Sequence, residues 1–185
     1  MPLTITRMAT AAKVPLLCFV CLIVLLMSDP ASALELSFSP STISGTGSSP
    51  LAVVAADFNN DGIADLAVLS SSSVIRMNGN GDGTFQTGST IYSGSGLVGI
   101  TVGNFNNDTL PDLALVSQFS QLIILRNSGS SFDTENLFID SIGVTSIAAG
   151  DFDNDGWIDL ALLTNNGITI SQFFNFNNTF ASSPD

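Results

Sequence analysis

The chain of 185 residues carries sixteen acidic side chains against four basic ones and no histidine, a formal net charge of −12. That balance excludes nucleic-acid binding by charge. The missing histidine removes the usual general base, the commonest metal ligand and the usual partner of a nucleophile.

Residues 1–33 read as a targeting segment. Arg7 and Lys13 precede an apolar run from Val14 to Met27 that ends near Ala31-Ser32-Ala33, the layout of a signal peptide. About 14 apolar residues are too few for the roughly 20 that a spanning helix needs, so export and cleavage are expected, with no membrane span afterwards. Both cysteines, Cys18 and Cys21, leave with that segment. The rest then has no thiol for a disulfide, a zinc site or a nucleophile. The expected location is extracellular, with the cell surface or a periplasm as variants.

The remaining chain repeats. Asp57, Asn104 and Asp151 are spaced by 47 residues, and so are Phe38, Phe85 and Phe132. A period of this length implies supersecondary units that bury their apolar faces on one another. The boundaries read as an N-terminal outer-strand segment over 34–50, repeat one over 51–97, repeat two over 98–143 and an incomplete repeat three over 144–185.

Each unit is expected to hold four short strands. The first is apolar and leads into an acidic loop: Leu51 to Ala56, Val98 to Gly103 and Val144 to Gly150. The second follows the loop directly, as Asp65 to Leu69, Asp112 to Val116 and Asp159 to Leu163. Its continuous hydrophobicity suits a strand buried on both faces, and its length argues against a helix. The third lies near Ser73 to Met77, Leu122 to Leu125 and Ile168 to Phe174, and an asparagine turn follows. The fourth carries the periodic phenylalanine, as in Thr84 to Tyr92. Phe38-Ser39-Pro40 resembles it at the start, where Pro40 marks an edge strand, and Thr179 to Asp185 begins another.

The loops hold the chemistry. In Asp151-Phe152-Asp153-Asn154-Asp155-Gly156-Trp157-Ile158-Asp159, side-chain oxygens fall at positions one, three, five and nine. A hard cation such as Ca2+ takes six to eight oxygens at about 2.3–2.6 Å, with glycine at position six for the sharp turn. Position seven, Trp157, offers its backbone carbonyl. The pattern recurs as Asp57, Asn59, Asp61 and Asp65, with Gly62 and the Ile63 carbonyl. A weaker copy has Asn104, Asn106, Asp108 and Asp112, with the Leu110 carbonyl and Thr109 in the glycine place. If that place requires a positive φ, the β-branched Thr109 is strained there. An aspartate-rich turn can also cap strands through its own hydrogen bonds; three copies in register favour calcium. The Asn80-Gly81-Asp82-Gly83 cluster reads as a hairpin turn. Trp157 reads as packing between units, and two Asn-X-Thr triplets are expected by chance.

The strings Ala55-Ala56-Asp57-Phe58-Asn59-Asn60-Asp61-Gly62 and Ala149-Gly150-Asp151-Phe152-Asp153-Asn154-Asp155-Gly156 resemble the FG-GAP/VCBS repeat family, of which integrin-alpha heads are the best-known members. The chain lacks Phe-Gly and Gly-Ala-Pro strings and so resembles the VCBS style more than integrins. The resemblance implies an all-β fold of propeller-type blades, each with a calcium loop between its first and second strands. It also implies a secreted module for adhesion or ligand binding, its partner an extracellular protein or glycan.

No catalytic residue is expected. Glu35, Asp82, Asp133, Glu135, Asp140 and Asp185 lie outside the loops and are scattered, whereas a glycosidase needs two carboxylates about 5–9.5 Å apart across one cleft. An appendage of a polysaccharide-acting enzyme and a structural spacer are the alternatives. Propellers close with four to eight blades, so about three repeats imply an incomplete or truncated propeller that self-associates or takes further blades from a longer chain.

Overall fold

A computed structural model describes residues 49–139, 143–164, 169–176 and 178–182. The expected signal segment, the Phe38 strand with Pro40, the first residue of the expected third strand of repeat three (Ile168), and Ser183 to Asp185 lie outside the described residues. Among the described residues there is no helix, and none long and apolar enough to cross a membrane.

The chain forms three antiparallel sheets of four strands, each built in sequence order. The first sheet contains β1 (Pro50–Ala56), β2 (Asp65–Ser70), β3 (Ser73–Met77) and β4 (Ser89–Ser93). The second contains β5 (Leu97–Gly103), β6 (Asp112–Ser117), β7 (Gln121–Asn127) and β8 (Phe132–Phe138). The third contains β9 (Val144–Gly150), β10 (Asp159–Thr164), β11 (Thr169–Phe176) and β12 (Thr179–Ser182). The first strands of successive sheets approach one another, β1 against β5 and β5 against β9. These are propeller-type blades, with first strands innermost.

The cores lie between the blades. One joins blades one and two through Phe58, Leu69, Leu113, Leu115, Ile123 and Leu125. The other joins blades two and three through Phe105, Val116, Leu122, Ile124, Leu160 and Leu162. Leu113 and Leu115 of β6 therefore face one core, and Ala114 and Val116 face the other. The unbroken hydrophobic run of β6 follows from this, since alternate residues of a strand point to opposite faces. All six of its residues are buried.

Two expectations need correction. The fourth strand of the first blade begins at Ser89, not Thr84; Phe85 makes only an isolated bridge to Gly79. Asp82 of the intervening turn accepts from the Thr84 amide and hydroxyl, which holds the hairpin tip closed. The second strand of the third blade is not buried on both faces, because Leu163 is 43% exposed where no further blade covers it.

Candidate metal centre

Each acidic loop, at 57–65, 104–112 and 151–159, joins the first strand of a blade to the second. A residue in left-handed backbone stands at its fourth position in every case: Asn60 (φ 59°), Asn107 (φ 55°) and Asn154 (φ 63°). Asparagine tolerates this region better than most residues. Glycine at position six is also left-handed in loops one and three, with φ 83° at Gly62 and 90° at Gly156.

These turns pull backbone amides onto the side chains that sequence spacing selected. In loop three, Asp151 accepts from the amides of Asp155 (3.1 Å) and Gly156 (3.0 Å), and Asp155 accepts from the Trp157 amide (2.8 Å). Loop one repeats the scheme with Asp57, Asp61, Gly62 and Ile63. The Trp157 side chain is half-buried.

Position nine does a second job. Asp65, Asp112 and Asp159 are each buried. Asp159 accepts from the Phe152 amide (2.9 Å) and the Asn175 amide (2.8 Å). Asp112 accepts from Phe105 and Asn127, and Asp65 from Phe58 and Gly79. The carboxylate thus ties its loop to the third strand of the same sheet in blades two and three, and to Gly79 just beyond that strand in blade one. The position matching Asn127 in blade one is therefore Gly79. Burial raises the Asp112 carboxyl pKa above the ordinary carboxylate value, and the Asn127 and Phe105 amides partly offset it.

Sequence reasoning missed Asn127 and Asn175. The Asn127 amide group donates to the carbonyls of Phe58 (2.8 Å) and Pro111 (3.1 Å). Asn175 donates to those of Phe105 (2.7 Å) and Ile158 (3.3 Å). Each clamps the loop phenylalanine of the preceding blade. The signal that could have found them is an asparagine recurring 48 residues apart at the end of the third strand.

Only in loop three, among the described residues, do three carboxylates gather: oxygens of Asp151, Asp153 and Asp159 lie within 4.8 Å of one another. Partial loss of hydration, then the charges of Asp155, Asp159 and Asp151, raise the Asp153 carboxyl pKa. Such a cluster could hold a metal ion, and its all-oxygen donors fit a hard divalent cation.

Loop two departs from this plan. Thr109 is not in left-handed backbone, so the expected strain does not arise. The loop takes another course instead, in which the Asn104 amide group donates to the Asp108 carbonyl, while Asn106 donates to the Asp108 carboxylate (2.8 Å) as Asn59 does to Asp61 in loop one. Asn104 Oδ1 is left buried with no hydrogen-bond partner among the described residues. That open acceptor, at the first ligand position, is compatible with a cation.

A separate cleft of about 520 Å³ lies between blades one and two, lined by Arg76, Asn78, Ser89, Thr90, Ser130 and Ser131. Arg76 Nε donates to Asn78 Oδ1 (2.7 Å) and stands 3.9 Å from the buried Asp65 carboxylate. Phe132 forms an apolar wall of this cleft.

No curated protein matches the chain. A family model described as an FG-GAP-like repeat matches residues 31–68 and 104–162. Those segments contain all three acidic loops and together exceed half of the sequence. With three four-stranded blades and a recurring aspartate loop in each, the chain belongs to the FG-GAP-like repeat family.

Proposed function

We propose that the chain is an exported, calcium-stabilised propeller-type module that binds an extracellular glycan and performs no catalysis. The observation that carries the calcium reading is the gathering of Asp151, Asp153 and Asp159 in a loop whose pattern recurs twice more. Asp151, Asp153, Asp155 and Asp159, with the Trp157 carbonyl, would hold the ion, and Asp57, Asn59, Asp61 and Asp65 with the Ile63 carbonyl would do so in blade one. Bound calcium supplies positive charge that offsets carboxylate repulsion and fixes the loop.

The cleft beside Arg76 supports a glycan as ligand. Its hydroxyl, amide and guanidinium groups suit sugar hydroxyls, and Phe132 offers an apolar surface. No carboxylate lines it among the described residues, which favours binding over hydrolysis.

Thermal melting in calcium, in magnesium and in excess chelator tests the metal. Calcium at about 100 times its dissociation constant adds about 2.7 kcal/mol, or roughly 5–10 °C for a domain of this size. Magnesium should do less, since it keeps its waters and demands an octahedron. Identical melting in all three buffers would remove the calcium reading. A glycan array probed with the parent and with Arg76→Gln tests the ligand, and selection of a protein partner with no glycan signal would overturn it.

A further inference from the structure

The two intrachain junctions are built alike. Phe58 of loop one is fully buried between blades one and two, edge-on to Phe132 of the next blade at 6.1 Å. Phe105 of loop two is equally buried between blades two and three, edge-on to Phe180 at 5.7 Å. Each loop phenylalanine is a plug, and the phenylalanine of the next fourth strand or its approach forms the socket.

Among the described residues, both halves of this junction are partly uncovered on the outer sides of blades one and three. Phe152, the equivalent of Phe105, is 46% exposed. Leu163 and Ile170 are 43% and 66% exposed, although their equivalents Val116 and Leu122 are fully buried. At the other end Val53 is 58% exposed, whereas its equivalents Ile100 and Ile147 are buried against the preceding blade. Phe85, which matches Phe132 and Phe180 in the repeat, is half-buried there. Val68 and Met77 on that side are already buried, so the bare part is the inner strand, where neighbouring blades come closest.

We infer that blade three of one copy docks on blade one of a second copy, with Phe152, Leu163 and Ile170 seated against the partner's Val53 and the partner's Phe85. The ends are complementary and not alike, which makes the contact heterologous, and such contacts close into rings when the rotation permits. Two copies with three sheets each give six blades, within the range of closed propellers. Blade one has Gly79 where Asn127 and Asn175 stand in the others. This junction therefore lacks one clamp, as suits association between separate copies.

Multi-angle light scattering of the full chain, Val53→Asp, Ile170→Asp and an equimolar mixture of the two variants tests this. The parent should be a dimer and each variant a monomer. The mixture should recover a dimer, because one intact plug meets one intact socket. Both changes are at exposed positions, and an unchanged far-ultraviolet circular dichroism spectrum with a cooperative melt checks that the variants fold. A monomeric parent, open-ended growth into filaments, or a dimer that survives either substitution would overturn the inference. Association through the apolar N-terminal run would survive both.

Discussion

Asn127 and Asn175 join stretches of chain that are 69 and 70 residues apart. Each is buried and spans a blade junction, so alanine there leaves two carbonyls without a donor and opens a small void. A buried group stripped of its partner costs about 1–3 kcal/mol. Asn127→Ala should be the more damaging, because Asn127 Oδ1 also accepts from the Gly129 amide (2.9 Å), whereas Asn175 Oδ1 has no hydrogen-bond partner among the described residues. Denaturant unfolding of both variants measures the difference, and a larger loss at Asn175 would contradict it. This role was not legible in the sequence. An asparagine at a strand end reads as a turn residue, and only the stacking of blades reveals which distant carbonyl it meets.

The nine-residue loop is the element whose design was most legible, because its ligand spacing and glycine turn are local. Gly62 and Gly156 adopt the positive φ that the pattern requires. What spacing alone did not reveal is that position nine is also a buried tie to the third strand, and that loop two avoids strain by changing course. Charge count still ranks the loops: four carboxylates in loop three, three in loop one and two in loop two. Affinity in oxygen-ligand loops follows ligand charge and loop rigidity. Calorimetric titration should therefore show the tightest site lost in Asp153→Asn and retained in Asp108→Asn. Thr109→Gly alone should change little, since Thr109 has no strain to relieve. Asn104→Asp combined with Thr109→Gly supplies the carboxylate and the turn together and should tighten loop two. Equal losses from the Asp153 and Asp108 changes would show that charge count does not set affinity here.

At the scale of the whole molecule, the period of 47 made the number of blades legible, and the continuous apolar runs pointed to strands covered on two sides. The sequence could not show that this cover is uneven, because Leu163 and Val116 occupy the same place in their repeats and differ only in having a neighbour. Stability should follow the cover. In stacked repeats each unit draws on its own sheet and on its neighbours, and local opening is rarest where apolar contact is densest. Blade two has cores on both faces: every residue of β6 is buried, and Leu122 to Leu125 of β7 are fully so. Blade one is bare along its inner strand and blade three on its outer face, and β4 is exposed along most of its length. Amide hydrogen exchange in chelator, where no metal adds rigidity to loop three, should be slowest in β6 and β7, intermediate in β2 and β10 and fastest in β4. Raising the protein concentration should slow exchange in β1, β10 and β11 and leave β6 and β7 unchanged if the end faces meet a second copy, because the first three gain cover. Slowest exchange in the third blade under chelator would mean that the loops, and not the two cores, hold the molecule together.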